Sequence, residues 1–366
     1  MCSKTAHGER NAGLDVLRGI AIAFVLVYHL PQGDAFGGLG IIGVEIFLTL
    51  SGYLVAAMIF ERFDGIRTAG ALKSFLVNRW IRTLPLYGLA LTVTIMLTSA
   101  TDPAQLPDVR PFLVFAQTLM DGGKASHGNW FGSSWSLALE EWFYLILPMA
   151  IWLGRRRPCT EVIVKLSILL IVVAIAGRAT RYYSDPSLPL DDMYRRVTLL
   201  RLDTFCYGVL MYLAVSRWPA TVTRLRYGLF LTGLAILGAS ALLTEAPVIG
   251  DGFAKVVMLS AISIGTALLI PFFRAFDIRS MAGRTAARFL STRTYALYLS
   301  HGFVYAGFAM AIAPVSLATA LPVLGLSLVL ADLVYRGIER PILAWRPSSE
   351  RAARTGLPAG ASMVAV

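Results

Sequence analysis

The sequence predicts an all-α protein, a polytopic integral membrane bundle of about ten transmembrane helices. Three observations carry this expectation. Of 366 residues, 56% are hydrophobic and only 15% are charged, and the mean hydropathy is +0.65, whereas soluble domains are far more charged. Apolar windows long enough to cross a hydrocarbon layer recur along nearly the whole chain. The basic residues, which give a net charge of +11, sit in alternate loops. That distribution reads as membrane orientation, so no nucleic-acid partner is expected.

Spans are expected near 14–31, 40–60, 84–99, 136–153, 162–178, 197–215, 228–244, 253–271, 294–311 and 320–336. Arg62, Arg67, Lys73, Arg79 and Arg82 follow the second, and Arg155 to Arg157 the fourth. Arg217, Arg224 and Arg226 follow the sixth, and Arg274, Arg279, Arg284, Arg288 and Arg293 the eighth. Loops 32–39, 245–252 and 312–319 carry no basic residue. This positive-inside pattern places both termini in the cytoplasm. The stretch 178–196 departs from it, setting Arg181, Arg195 and Arg196 against Asp185, Asp191 and Asp192. Either those charges neutralise one another or the span count slips there.

The first span, Leu14 to Leu30, carries Asp15 and Arg18 near its start and His29 near its end. A charge at the bilayer centre costs roughly 2.5–3.5 kcal/mol on insertion scales, so such residues face a bundle interior or a wet cavity. At about 100° per residue, Asp15, Arg18, Ile22, Val25 and His29 form one stripe, with about 16 Å of axial rise between Arg18 and His29. Arg18 alone reads equally well as a snorkelling anchor, and His29 as a packing histidine. Asp15 is placed to pair with Arg18 at i+3. Lys4 and Arg10 precede the run as in a signal peptide, but no small-x-small cleavage site follows Pro31, so the span is expected to stay.

In the second span, Gly38, Gly40 and Gly43 spell GxGxxG. With no preceding strand, the spacing points to close helix packing rather than to a dinucleotide, and Ser51-Gly52 extends it. Glu45 is either wet near the interface or turned inward, where a histidine or arginine of the first span is the expected partner. Before the third span, Arg79 and Arg82 share a helical face ahead of Pro85. Guanidinium forks at that spacing suit a diphosphate, and positive-inside anchoring explains them as well. The external segment 100–134 is broken by Pro103, Pro107, Pro111 and Gly122-Gly123, and its apolar middle, Phe112 to Met120, is too short to span.

The fourth span opens Trp135-Ser136-Leu137-Ala138-Leu139-Glu140-Glu141. Trp135 reads as an interfacial anchor and Ser136 as a helix cap. The two glutamates point about 100° apart, and Glu140, on the face of Leu137 and Tyr144, is taken as the inward one. Arg201 and Asp203 open the sixth span, and Tyr335, Glu339, Arg340 and Pro341 close the tenth; interhelical hydrogen bonding or interface anchoring explains these at least as well as catalysis. The ninth span aligns Thr294, Tyr298, His301 and Tyr305 on one stripe. Cys2, Cys159 and Cys206 form no spaced pair, so neither a disulfide framework nor a metal site is expected. No HExxH, GxSxG or P-loop is present. Residues 1–13 and 346–366 are expected to be cytoplasmic tails, the latter disordered.

In order along the chain, LDVLRGIAIAFVLVYH, GVEIFLTLSGYL, the arginine segment ending at Pro85, WSLALEEWFYLILP, TYALYLSH and YRGIERP resemble the acyltransferase 3 family of polytopic membrane acyltransferases. The resemblance runs from Leu14 to Pro341, so residues 14–345 are taken as one membrane domain. It implies acyl transfer, most often acetyl, from acyl-CoA to a hydroxyl of a carbohydrate or glycan in a bacterial cytoplasmic membrane. It also implies essential roles for Arg18 and His29, an acidic role for Glu45, coenzyme A binding by Arg79 and Arg82, and a role for Glu140. Asn78 stands where relatives often carry another arginine.

An alcohol needs a general base near neutral pH, and imidazole supplies one. His29 is therefore expected to deprotonate the acceptor or to relay the acyl group, with Glu45 or Glu140 fixing its tautomer. Arg18 is expected to stabilise the donor or a developing oxyanion. Trp135, Ser136, Tyr298, His301 and Asp15 are further candidates. A transporter or flippase with a charged solute path, or an acyltransferase for a macrolide-like small molecule, is the alternative.

Overall fold

A computed structural model describes residues 11–30, 37–63, 65–120, 130–244, 250–312, 315–316 and 318–345. Ten long helices organise it: α1 (Ala12–Tyr28), α2 (Gly37–Arg62), α3 (Ala69–Thr101), α4 (Ser134–Leu153), α5 (Cys159–Ser184), α6 (Asp203–Arg217), α7 (Pro219–Thr244), α8 (Leu259–Ala275), α9 (Met281–Ala311) and α10 (Ala320–Val334). No strand occurs among the described residues. Among the described residues, eight helical segments are long and apolar enough to cross a membrane. α1, with 17 residues, and α9, whose first half carries Arg284, Arg288 and Arg293, are not among them. The expected tails lie outside the described residues except for 11–13.

Helix ends follow local chemistry. Asn11 caps α1 by accepting from the Leu14 amide at 3.0 Å, Thr68 caps α3 through Ala71, and Ser280 caps α9 through Gly283. α3 begins well before the expected start at 84, because nothing in 69–83 breaks a helix. Its 33 residues amount to about 50 Å, against about 30 Å of hydrocarbon. Pro85 lies inside it, and the Tyr295 hydroxyl reinforces that turn by donating to the Thr83 carbonyl at 2.7 Å.

The interior is built from α1, α2, α6, α8 and α9, with α8 at its centre: 67% of its apolar window is buried, against 17% for those of α5, α7 and α10. The outer helices accordingly display Ile168, Leu169, Val172, Leu231, Leu242, Leu326 and Val329, apolar side chains suited to lipid tails. Glycines set the central spacing. A Cβ on Gly13 would lie 1.8 Å from the Phe273 carbonyl oxygen, one on Gly52 2.1 Å from that of Phe205, and one on Gly208 1.9 Å from that of Thr49. A Cβ on Gly40 would lie 2.4 Å from the Tyr28 ring and one on Gly43 2.7 Å from the Ala21 carbonyl oxygen, both on α1. The GxGxxG of α2 is thus a packing device.

Two ion-pair networks pin the core. Glu45 does not reach α1. It pairs with Arg201 and accepts from Thr204 and Ser263, both at 2.8 Å, because the face of α2 that carries it is turned toward α6 and α8. Arg178 pairs with Asp203 at 2.9 Å and donates to Ser260 at 2.6 Å. All four charged side chains are at most 1% exposed. In hydrocarbon, such groups persist only when paired.

Candidate active site

The polar face of α9 collects the candidate residues. From one end to the other, Ser291 donates to Asp15 at 2.7 Å and Tyr295 donates to Thr83. The Tyr298 hydroxyl meets Ser136 Oγ at 2.6 Å, the His301 ring lies edge-on to that of His29 at 4.8 Å, and Tyr305 donates to the Leu26 carbonyl at 3.0 Å. Successive members are three or four residues apart, so one helical stripe touches α1, α3, α4 and α1 again.

His29 is the C-cap of α1 and is exposed, whereas His301 is buried. His29 Nδ1 lies 2.8 Å from the Val25 carbonyl oxygen, and His301 Nδ1 lies 3.2 Å from that of Leu297. A carbonyl can only accept, so each Nδ1 carries the proton and each neutral ring keeps its lone pair on Nε2. A backbone carbonyl, rather than Glu45 or Glu140, therefore sets the His29 tautomer. The physical reason is that the last turn of a helix leaves carbonyls without amide partners, within reach of a C-terminal ring.

A second centre lies between α3 and α4. Arg79 is buried, stacks its guanidinium 3.8 Å over the Tyr144 ring, and reaches Glu140 at 3.4 Å. Glu140 also accepts from Ser51 at 2.8 Å and from the Tyr144 hydroxyl. Arg79 Nε has no partner. Arg79 thus points into the bundle, while Arg82 is half-buried. Glu140 faces inward as expected, but Glu141 is the more buried of the two, and its Oε1 has no partner. The 100° offset of adjacent residues turns Glu140 into the space between α2 and α3, where Ser51 and Arg79 meet it, and Glu141 onto a different face of α4.

At the start of α4 the cap is Ser133, and Trp135 is 6% exposed. Trp135 is therefore a buried platform under the Arg195 guanidinium, 4.8 Å above its ring, and Ser136 is the partner of Tyr298. Asp15 and Arg18 lie 3.7 Å apart, which makes Ser291 the closer partner of Asp15. Sequence spacing passed over Arg178, Glu141, Arg195 and Tyr295 as site components. Arg178 had a signal, an arginine in the last turns of a long apolar run, but its partner lies on another helix.

The family model for the acyltransferase domain matches residues 11–336. The chain belongs to the acyltransferase 3 family. Among its relatives, a Bacillus subtilis protein with the provisional name peptidoglycan O-acetyltransferase YrhL is 28% identical over 93% of this chain and 56% of its own length. A provisionally named O-acetyltransferase of Staphylococcus aureus strain COL is 25% identical, covering 92% of this chain and 59% of its own length. The peptidoglycan O-acetyltransferase OatA of Listeria monocytogenes is 29% identical over 43% of this chain and 28% of its own length. The chain thus spans little more than half the length of the first two relatives. No solved structure matches it.

Proposed function

We propose that this acyltransferase moves an acetyl group from acetyl-CoA to a hydroxyl of a cell-surface glycan, with His29 as general base. The observation that carries the reading is the His29 imidazole: exposed, with Nδ1 committed to the Val25 carbonyl and Nε2 left to accept a proton. In direct transfer, the hydroxyl oxygen bonds to the acyl carbon as the carbon–sulfur bond breaks. His29 Nε2 takes the hydroxyl proton and passes it to the leaving thiolate. His301, Tyr298 and Ser136 hold the ring and the acceptor side of the site.

The donor enters from the opposite end, near Arg18. Arg18 and Arg82, both partly accessible, suit coenzyme A phosphates. Arg79 orients Glu140, and its unpartnered Nε remains as a buried donor to the acyl-bearing arm. With both termini cytoplasmic, this polarity runs from cytoplasmic donor to external acceptor, across a membrane domain at 14–345. The peptidoglycan named for YrhL and OatA is the first acceptor to try.

The experiment is label transfer in isolated membranes from acetyl-labelled coenzyme A to glycan. Wild-type protein should label the glycan, and His29→Ala at equal protein level should not. Equal labelling by both would exclude His29 as the base, and solute uptake without covalent labelling would favour a transporter.

A further inference from the structure

The connection between α5 and α6 carries its charged residues into the His29 end of the bundle. It is fixed there at several points: Thr198 donates from its amide to the Thr118 carbonyl at 2.8 Å. Arg181 donates to the carbonyls of Met193 at 2.6 Å and Met120 at 2.8 Å, and Lys255 donates to that of Pro186 at 2.6 Å. Residues Asp191–Arg195 form a single wide π-turn, a geometry that recurs at functional sites because it re-aims a side chain.

That turn lays Arg195 across Trp135, the residue before Ser136, and binds it to Asp191 through a two-pronged contact, Nε to Oδ1 at 2.6 Å and Nη2 to Oδ2 at 2.9 Å. Arg196 adds contacts to Asp191 and Asp192, both at 3.4 Å. The departure from the positive-inside pattern is therefore a neutralised cluster. Its exposure is uneven: the Arg195 side chain is 8% accessible and that of Asp191 40%. Trp135 under Arg195 is followed by Ser136, whose Oγ meets Tyr298 on the α9 stripe that carries His301, edge-on to His29 at 4.8 Å, so the cluster lies on the same side of the site as the base.

We propose that the Arg195–Asp191 pair on Trp135 is the subsite that holds the sugar acceptor and turns its reacting hydroxyl toward His29. A sugar hydroxyl both donates and accepts. A fixed guanidinium and an accessible carboxylate side by side offer it an acceptor and a donor without net charge. The surrounding anchors keep the pair from collapsing when the sugar leaves, which lowers the ordering cost of binding.

This rests on the acetyl-transfer reading, and two measurements separate them. The probe is a soluble tetrasaccharide of unmodified peptidoglycan glycan strand. Its binding to purified protein in nanodiscs is measured by calorimetry, and its acetylation is measured with acetyl-CoA. Arg195→Gln and Asp191→Asn should each weaken binding and raise the acceptor KM about tenfold, the worth of one hydrogen bond to a charged group. The acetyl-CoA KM should stay within twofold, and Arg110→Gln, in an exposed pair with Asp108, should change nothing.

If Arg195→Gln does not fold, Asp191→Asn and Arg195→Lys, which keeps the charge but loses the fork, carry the same test. Equal binding of the tetrasaccharide by wild type and variants, or none by wild type, overturns the subsite. So does a parallel rise in both KM values. Binding that depends on Arg195 without acetyl transfer would instead overturn the transfer reading and leave the subsite standing.

Discussion

His29 and Val25 are joined by a contact of 2.8 Å between the imidazole Nδ1 and the carbonyl one turn earlier on α1. The contact lies within one helix end and fixes the tautomer, while His301 of α9 packs edge-on against the ring. His29→Ala and His29→Gln should each lower acetyl transfer by about a hundredfold or more, the usual contribution of a general base. Since the ring is exposed, thermal unfolding in detergent should barely move. A large loss of stability together with activity would mean that the ring holds the bundle together.

Removing one member of a buried pair leaves the other charge stranded in the interior. Glu45→Ala and Arg201→Ala should each cost about 3–5 kcal/mol, read as a fall in unfolding midpoint. The double variant should cost less than the sum of the two, since the stranded charge is gone. Strict additivity would show that the pair contributes nothing as a pair.

Gly208→Ala should destabilise strongly, because the new methyl would lie 1.9 Å from the Thr49 carbonyl oxygen and force α2 and α6 apart. Gly88→Ala, where nothing stands within 4 Å, should instead be neutral or gain about 1 kcal/mol from helix propensity. Side-by-side unfolding curves decide it, and equal effects would argue against close α2–α6 packing.

Arg18→Ala and Arg82→Ala should raise the KM for acetyl-CoA with little change in the acceptor KM, whereas Arg79→Ala should lower kcat as well, since it frees Glu140. Initial rates at varied acetyl-CoA give the answer. A donor KM unmoved by all three would remove the arginines from the donor site.

The Asp191 carboxyl sits below its ordinary range: burial pushes it up, but the hydrogen bonds and charges of Arg195 and Arg196 outweigh that. A carboxylate lowered in this way contributes stability above its unfolded pKa and loses it as pH falls through the folded value. The difference in unfolding midpoint between wild type and Asp191→Asn should therefore be constant from about pH 5 to 8 and shrink only below about pH 4. A difference that fades between pH 5 and 8 would contradict the pairing.

The sequence by itself determined the helical bundle, the approximate positions of most of its helices and the polar stripe of α9, because apolar run length and the 3.6-residue period are local properties. It also marked Arg18, His29, Glu45, Glu140, Tyr298 and His301 as residues that a bilayer would not tolerate facing outward. The tertiary structure alone decided their partners. Glu45 meets Arg201 across 156 residues, Arg79 meets Glu140 across 61, and Ser136 meets Tyr298 across 162. Periodicity says which face of a helix is polar. Which helix stands opposite depends on glycine-permitted packing and on the burial of every other face at once.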